Sequence, residues 1–380
     1  MTDNPLNRLA ALGQSIWLDY IRRQLIVHGD LRRLIDADGL AGMTSNPAIF
    51  EKAIGETHDY DDDIRTLALE GNGVAEIYET LSVRDVQDAA DQFRPVYDRS
   101  DAGDGYVSLE VNPHLAHNTT GTIEEARHLW AALNRPNVFI KVPATREGLP
   151  AIQQLISEAI NVNVTLLFGL PRYHEVVDAY LAGLESRIAR GEPIGRVASV
   201  ASFFLSRIDV LLDPLLERLI AEGHAQAELA KQARGQVAIA SAKIAYQINQ
   251  EIFASPRAQR LAAKGGRLQR LLWASTSTKN PSYSDVKYVE ALIGPGTINT
   301  LPMETLDAYR DHGDPRIRIR DDQELAGRTL RRLPELGIDL DQATQQLEDE
   351  GVEKFVRPFD KLMETLADAM ARYAKQVPCT

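Results

Sequence analysis

The sequence has one cysteine, Cys379, so it can form no intrachain disulfide and build no cysteine-based metal cluster. No uninterrupted apolar stretch approaches the roughly 20 residues of a membrane span. The opening residues, Met1 to Arg8, lack the basic and apolar regions of a secretory leader. Basic side chains are in deficit: 42 Lys and Arg face 54 Asp and Glu, a formal net charge of −12. That balance argues against non-specific binding to nucleic acid or anionic membranes. The expectation is a cytoplasmic protein with neither kind of partner. Metal signatures are incomplete. His114 and His117 stand three apart without a complementary ligand motif, and Asp59 to Asp63 lacks the glycine and terminal glutamate of a calcium loop. No G-x-G-x-x-G follows the first strand-like run, which removes the main signature of a doubly wound dinucleotide fold.

What the chain does contain is a series of short β-like runs separated by helix-compatible stretches. They fall at residues 15–20, 39–44, 106–111, 138–142, 161–167, 197–204, 271–275 and 297–301. Strands alternating with helices point to a parallel sheet with helical crossovers, and eight such units can close into a (β/α)8 barrel. Residues 48–98 are long enough for several helices, and 207–252 read as a helical hairpin broken near Gly223. Beyond about residue 320 the β pattern stops. Phe355, Phe359, Leu362, Leu366, Met370 and Tyr373 then share one helical stripe, interrupted by Pro358. The reading is a single barrel domain over 1–380, with 321–380 as a helical extension packed on it; sixty residues are too few to build much core alone.

One side chain stands out chemically. Lys141 lies in Val138-Phe139-Ile140-Lys141-Val142-Pro143, in the middle of an apolar run. Desolvation favours the neutral amine, which a free lysine adopts only about once in 2,500 molecules at pH 7. A neutral amine attacks carbonyl carbon and forms a Schiff base. The bland alternative is a lysine whose stem reaches back to water. Polar residues near the ends of other runs weigh against it: Asp19, Asn46, Glu110, Asn163, Thr165 and Ser202. In a barrel these share one open face, where barrel chemistry is done.

Thr44-Ser45-Asn46-Pro47, Ile140-Lys141-Val142-Pro143-Ala144-Thr145 and Asn163-Val164-Thr165-Leu166-Leu167-Phe168 together resemble transaldolases. The likeness extends to Ser202-Phe203-Phe204-Leu205-Ser206-Arg207 and to the tail Gln345 to Val352, which is similar to the longer bacterial members. The resemblance implies a class I aldolase barrel that moves a dihydroxyacetone unit from sedoheptulose 7-phosphate to glyceraldehyde 3-phosphate in the pentose phosphate pathway. No metal or organic cofactor is implied; the partners are small sugar phosphates, and the chain could act as a monomer or a homodimer. Lys141 matches the Schiff-base lysine and Asp19 the general base. Glu110 and Thr165 match a pair that holds a water. Asn46, Asn163 and Ser202 match residues that bind the dihydroxyacetone hydroxyls, Phe204 an apolar wall, and Arg207 a phosphate cation. Many members carry a second arginine after the seventh strand. Here Ala274-Ser275-Thr276-Ser277-Thr278-Lys279 stands there; Lys279 is the expected second phosphate cation, and a solvated loop lysine is the alternative. Sibling aldolases that release dihydroxyacetone tend to have Gln and Tyr where this chain has Glu110 and Phe204, so these positions favour transfer. Such an aldolase is the alternative, and a non-catalytic barrel that binds sugar phosphates is the alternative outside enzymes.

Overall fold

The computed structural model describes residues 4–223 and 225–374; Cys379 lies outside them. Its eight strands are β1 (Gln14–Asp19), β2 (Gly42–Thr44), β3 (Tyr106–Glu110), β4 (Val138–Pro143), β5 (Val162–Leu167), β6 (Ser199–Phe204), β7 (Arg270–Ala274) and β8 (Thr297–Leu301). They pair in parallel in chain order, and β1 also pairs with β8, closing the barrel. Each β-like run of the sequence contains or overlaps one strand. Helices cover the outside, so the strands are buried on both faces; every residue of β4, β5, β6 and β8 is buried.

Period-two alternation sorts each strand into an outer and an inner row. In the inner row Tyr106 stacks on Phe139 at 4.3 Å between centroids, and Trp17 lies 6.1 Å from Phe139. β1 and β4 are not neighbours, so this contact crosses the interior and fills the lower barrel with rings. Gly42 makes room: a Cβ there would stand 2.5 Å from the Trp17 ring. Below the rings Arg270 donates to Ser15 Oγ at 2.7 Å and to Asp104 at 3.2 Å, and Trp17 Nε1 donates to Asp104 at 3.0 Å. Two residues further up the same strands, the inner row turns polar. Asp19 follows Trp17 and Lys141 follows Phe139, one layer nearer the C-terminal mouth.

Two helical expectations need correction. Residues 207–252 form three helices, Ser206–Ala221, Ala227–Ala233 and Val237–Phe253, rather than a hairpin. Gly235 supplies the second break. Its φ is +67°, and a Cβ there would meet the Tyr283 hydroxyl at 2.6 Å. Pro358 does not interrupt the last helix, which runs unbroken over Leu340–Ala374. An interior proline costs about 3 kcal/mol, but Phe355, Phe359, Leu362 and Leu366 are all buried around it. Each such side chain contributes ~1.5–3 kcal/mol, so docking outweighs the defect.

That helix packs on the helices Pro47–Gly55, Asp61–Leu69, Val74–Arg99 and Ser206–Ala221 and reaches β5. Arg172 bonds Glu348 at 3.0 Å in a nearly buried pair, Phe359 meets the Tyr78 ring edge-on at 5.5 Å, and His114 bonds Asp360 at 2.7 Å. The fastening leaves the helix lying across the C-terminal mouth of the barrel.

Candidate active site

The polar layer opens into a cavity of about 270 Å³ at that mouth. Asp19, Thr44, Asn46, Lys141, Thr165 and Ser202 line its inner part, from β1, β2, β4, β5 and β6 and the turn after β2. Phe204, Arg207, Lys279, Glu304, Lys354 and Phe355 line the outer part.

Lys141 is 5% exposed. Its Nζ donates to the Ser45 carbonyl at 2.9 Å and stands 3.7 Å from Glu110 Oε2. The proximity follows from register. Glu110 and Lys141 are partners on β3 and β4, so their side chains emerge together on the inner face. The Phe355 ring caps the group, with its centroid 5.7 Å from the lysine nitrogen. Burial pushes the Glu110 carboxyl up to about 7, against the downward pull of Lys141. Glu110 Oε2 and Thr165 Oγ1 are both buried without a hydrogen-bond partner among the described residues. Buried polar atoms left unpaired in this way, near the Lys141 amine, are groups that an ordered water satisfies.

Asp19 is also raised above the ordinary carboxylate range by burial, opposed first by Lys141 and then by a hydrogen bond from Thr44. Thr44 Oγ1 donates to Asp19 Oδ1 at 2.7 Å and lies 2.8 Å from Thr300 Oγ1, so β2 holds the carboxylate and β8 holds Thr44 in turn. β5 slips register against β6 between Val164 and Leu167, and Leu166 takes φ 55°. Backbone strain of this kind clusters at functional sites. Here it turns Leu166 toward the last helix, where a Cβ on Gly351 would come within 3.1 Å of its side chain.

A family model described as Transaldolase/Fructose-6-phosphate aldolase matches residues 16–366. The chain belongs to that family. Among curated relatives, a Transaldolase of Trichodesmium erythraeum is 48% identical over 376 residues, covering 98% of this chain and 99% of its own. One from Acidothermus cellulolyticus is 48% identical over 377 residues, covering 99% of each chain. A Transaldolase 2 of Nostoc sp. is 47% identical over 371 residues, with 96% and 97% covered. The similarity to these transaldolases therefore includes the C-terminal helix as well as the barrel.

Of the ten residues singled out in the sequence, eight line the cavity of this transaldolase-family barrel: Asp19, Asn46, Lys141, Thr165, Ser202, Phe204, Arg207 and Lys279. Glu110 sits just beneath, against Lys141. Asn163 is fully buried one layer lower. It accepts from Ser202 Oγ at 2.6 Å and donates to Ser108 Oγ at 3.1 Å, so it braces Ser202 instead of lining the wall. Asn46 caps the helix Pro47–Gly55 through its side-chain oxygen, which accepts from Ile49 N at 3.1 Å and leaves the amide NH₂ to face the cavity. Lys279 Nζ donates to Ser277 Oγ at 2.6 Å.

Four contributors went unread in the sequence. Thr44 and Thr300 orient Asp19, and only their place on the inner row marks them. Phe355 and Lys354 come from the last helix, where the stripe that carries Phe355 looks like that of any amphipathic helix. The two discounted histidines have separate acidic partners, Asp360 for His114 and Glu147 for His117. Among the described residues no group of three or more His, Cys, Asp or Glu side chains could hold a metal ion, and no helix is long and apolar enough to cross a membrane.

Proposed function

We propose that this protein is a transaldolase that carries a dihydroxyacetone unit on Lys141, from sedoheptulose 7-phosphate to glyceraldehyde 3-phosphate. The products are erythrose 4-phosphate and fructose 6-phosphate, as in the pentose phosphate pathway. The observation that carries the reading is one buried lysine amine, 3.7 Å from Glu110, in the same cavity as an Asp19 carboxylate held by Thr44.

The amine of Lys141 adds to the ketose carbonyl, and water leaves to give an iminium. Glu110 and Thr165 hold the water through which protons move in that step, and a carboxyl titrating near 7 can both give and take them. Asp19 removes the proton from the hydroxyl on the carbon beyond the bond to be broken. The carbon–carbon bond cleaves, its electron pair moves into the iminium to give an enamine, and an aldose leaves. The acceptor aldehyde then takes the enamine's attack, Asp19 returns its proton to the new alkoxide, and water releases the ketose. Asn46 and Ser202 hold the dihydroxyacetone hydroxyls, with Asn163 bracing Ser202. Arg207 and Lys279 bind the phosphate. Phe204 and Phe355 present apolar faces that keep water from the enamine stage, which favours transfer over release. The chain works as one barrel domain with 321–380 as its helical extension, residues 375–380 lying outside those described, in the cytoplasm.

Borohydride reduction in the presence of fructose 6-phosphate, followed by peptide mapping, tests the imine, and the added mass should map to the peptide containing Lys141. Supplying erythrose 4-phosphate separates transfer from aldolase action. Sedoheptulose 7-phosphate should form faster than free dihydroxyacetone appears, and the reverse order would favour an aldolase.

A further inference from the structure

The outer end of the cavity carries a further cation on the last helix. We propose that Lys354, brought over the mouth by the C-terminal helix, is a third phosphate-binding cation beside Arg207 and Lys279, and that Glu350 holds it until a phosphate monoester displaces the carboxylate. The inference deepens the transaldolase reading and rests on it.

Three cations reach this end from three separate elements: Arg207 from the helix after β6, Lys279 from the loop after β7, and Lys354 from the last helix. Lys279 Nζ is held by a neutral hydroxyl, Ser277 Oγ at 2.6 Å, and Arg207 Nη1 is buried without a hydrogen-bond partner among the described residues. Arg207 is instead stacked between apolar rings, 5.3 Å from the centroid of Phe204 and 5.9 Å from that of Phe355. A desolvated guanidinium without a carboxylate partner suits an oxyanion such as phosphate, two of whose oxygens its planar fork can bind.

The last helix comes close to that guanidinium. A Cβ on Gly351 would lie 3.7 Å from Arg207 Nη1. The charged pair brackets that glycine, Glu350 just before it and Lys354 three residues after: Lys354 Nζ donates to Glu350 Oε2 at 2.8 Å, and Glu350 and Arg207 each feel the other's charge. Glu350 thus stands where it can neutralise the cation cluster while no anion is bound. A phosphate monoester carries a charge of about −1.5 to −2 at pH 7 and offers more acceptor oxygens, so it replaces the carboxylate as partner for Lys354.

An i,i+4 Glu–Lys pair on a helix is ordinarily a surface feature of little consequence. Here Lys354 precedes Phe355, the ring that caps Lys141, and lines the same cavity. Lys361, two turns on, pairs instead with Glu51 outside the cavity and serves as the control.

The test compares erythrose 4-phosphate with erythrose as acceptors at saturating fructose 6-phosphate, in Lys354→Met, Glu350→Gln and Lys361→Met. Inhibition by inorganic phosphate is measured alongside. Lys354→Met should lower kcat/KM for erythrose 4-phosphate about tenfold or more, mainly through KM, and weaken phosphate inhibition in parallel. Erythrose should change by no more than about twofold, and Glu350→Gln should lower KM for the phosphorylated acceptor. Lys361→Met should leave the ratio of the two acceptors unchanged. Equal losses for both acceptors, or unaltered phosphate inhibition in Lys354→Met, would overturn the inference. Borohydride trapping with dihydroxyacetone, which has no phosphate, keeps the two claims apart. If the wild type traps none at Lys141, the transaldolase reading itself fails. If it traps and Lys354→Met still discriminates as wild type does, only the third-cation inference fails.

Discussion

The inner and outer halves of the cavity are built in different ways. The inner half stands on strands: Asp19, Glu110, Lys141, Thr165 and Ser202 are fixed by barrel register and by bonds to neighbouring strands. Apart from Phe204 at the end of β6, the outer half stands on a loop, two helix starts and a helix from the far end of the chain. Groups on strands keep the sub-ångström placement that bond-making needs, whereas phosphate recognition is electrostatic and tolerates a looser mount. Under the proposed chemistry the reacting carbon meets a rigid floor, and the distal phosphate meets an adjustable rim.

If that division is right, damage to the floor should fall on kcat and damage to the rim on KM. The largest effect is expected from Lys141→Ala, which should abolish the trapped adduct and lower turnover by about 10⁴-fold or more. Its thermal melt should be recorded in parallel, so that a folding defect is not mistaken for lost chemistry. Asp19→Ala should lower kcat by about 10²–10⁴-fold while still allowing reductive trapping at Lys141; unchanged turnover would remove Asp19 from the base role. At the rim, Lys279→Ala should raise KM for glyceraldehyde 3-phosphate about tenfold with kcat nearly preserved, and a kcat defect of that size would break the comparison. Phe204→Tyr should raise dihydroxyacetone release relative to transfer several-fold, about 1 kcal/mol in relative barriers, as measured by product ratio.

The smallest expected effect concerns Glu110 and pH. Burial raises its carboxyl from 4.5 to about 7, so the fold favours the protonated form. The contribution to stability is complete below about 4.5 and is lost as pH rises through about 7. Glu110→Gln removes this slope, so its melting temperature should gain on the wild type by a few degrees between about pH 5 and pH 8. A constant difference across that range would show that Glu110 does not titrate there.

The same contrast explains what the sequence made legible. The floor was readable because strand geometry is periodic. A polar residue two positions beyond an inward ring, as Lys141 follows Phe139 and Asp19 follows Trp17, must share its face. Motif resemblance then named the roles of those positions. Thr44 and Thr300 escaped because a threonine on a strand is unremarkable until its partner strand is known. Lys354 and Phe355 escaped for a stronger reason. Nothing between β8 and residue 354 says where the last helix crosses the barrel, since its apolar stripe would dock equally well along the side. Only tertiary contacts such as Arg172–Glu348 and the tight fit of Gly351 against Leu166 settle its path. Pro358 misled for the converse reason: a local rule was outweighed by burial that only the assembled core supplies.

The ring stack of Trp17, Tyr106 and Phe139, tied off below by Arg270, Asp104 and Ser15, gives the barrel a sealed base. Traffic then runs through the C-terminal mouth. Under the proposed chemistry the first aldose must depart through it before the second can approach, so the two sugars never compete for the enamine from opposite sides. Steady-state rates with both substrates varied should accordingly trace parallel double-reciprocal lines, a kinetic pattern already implied by a floor without a drain.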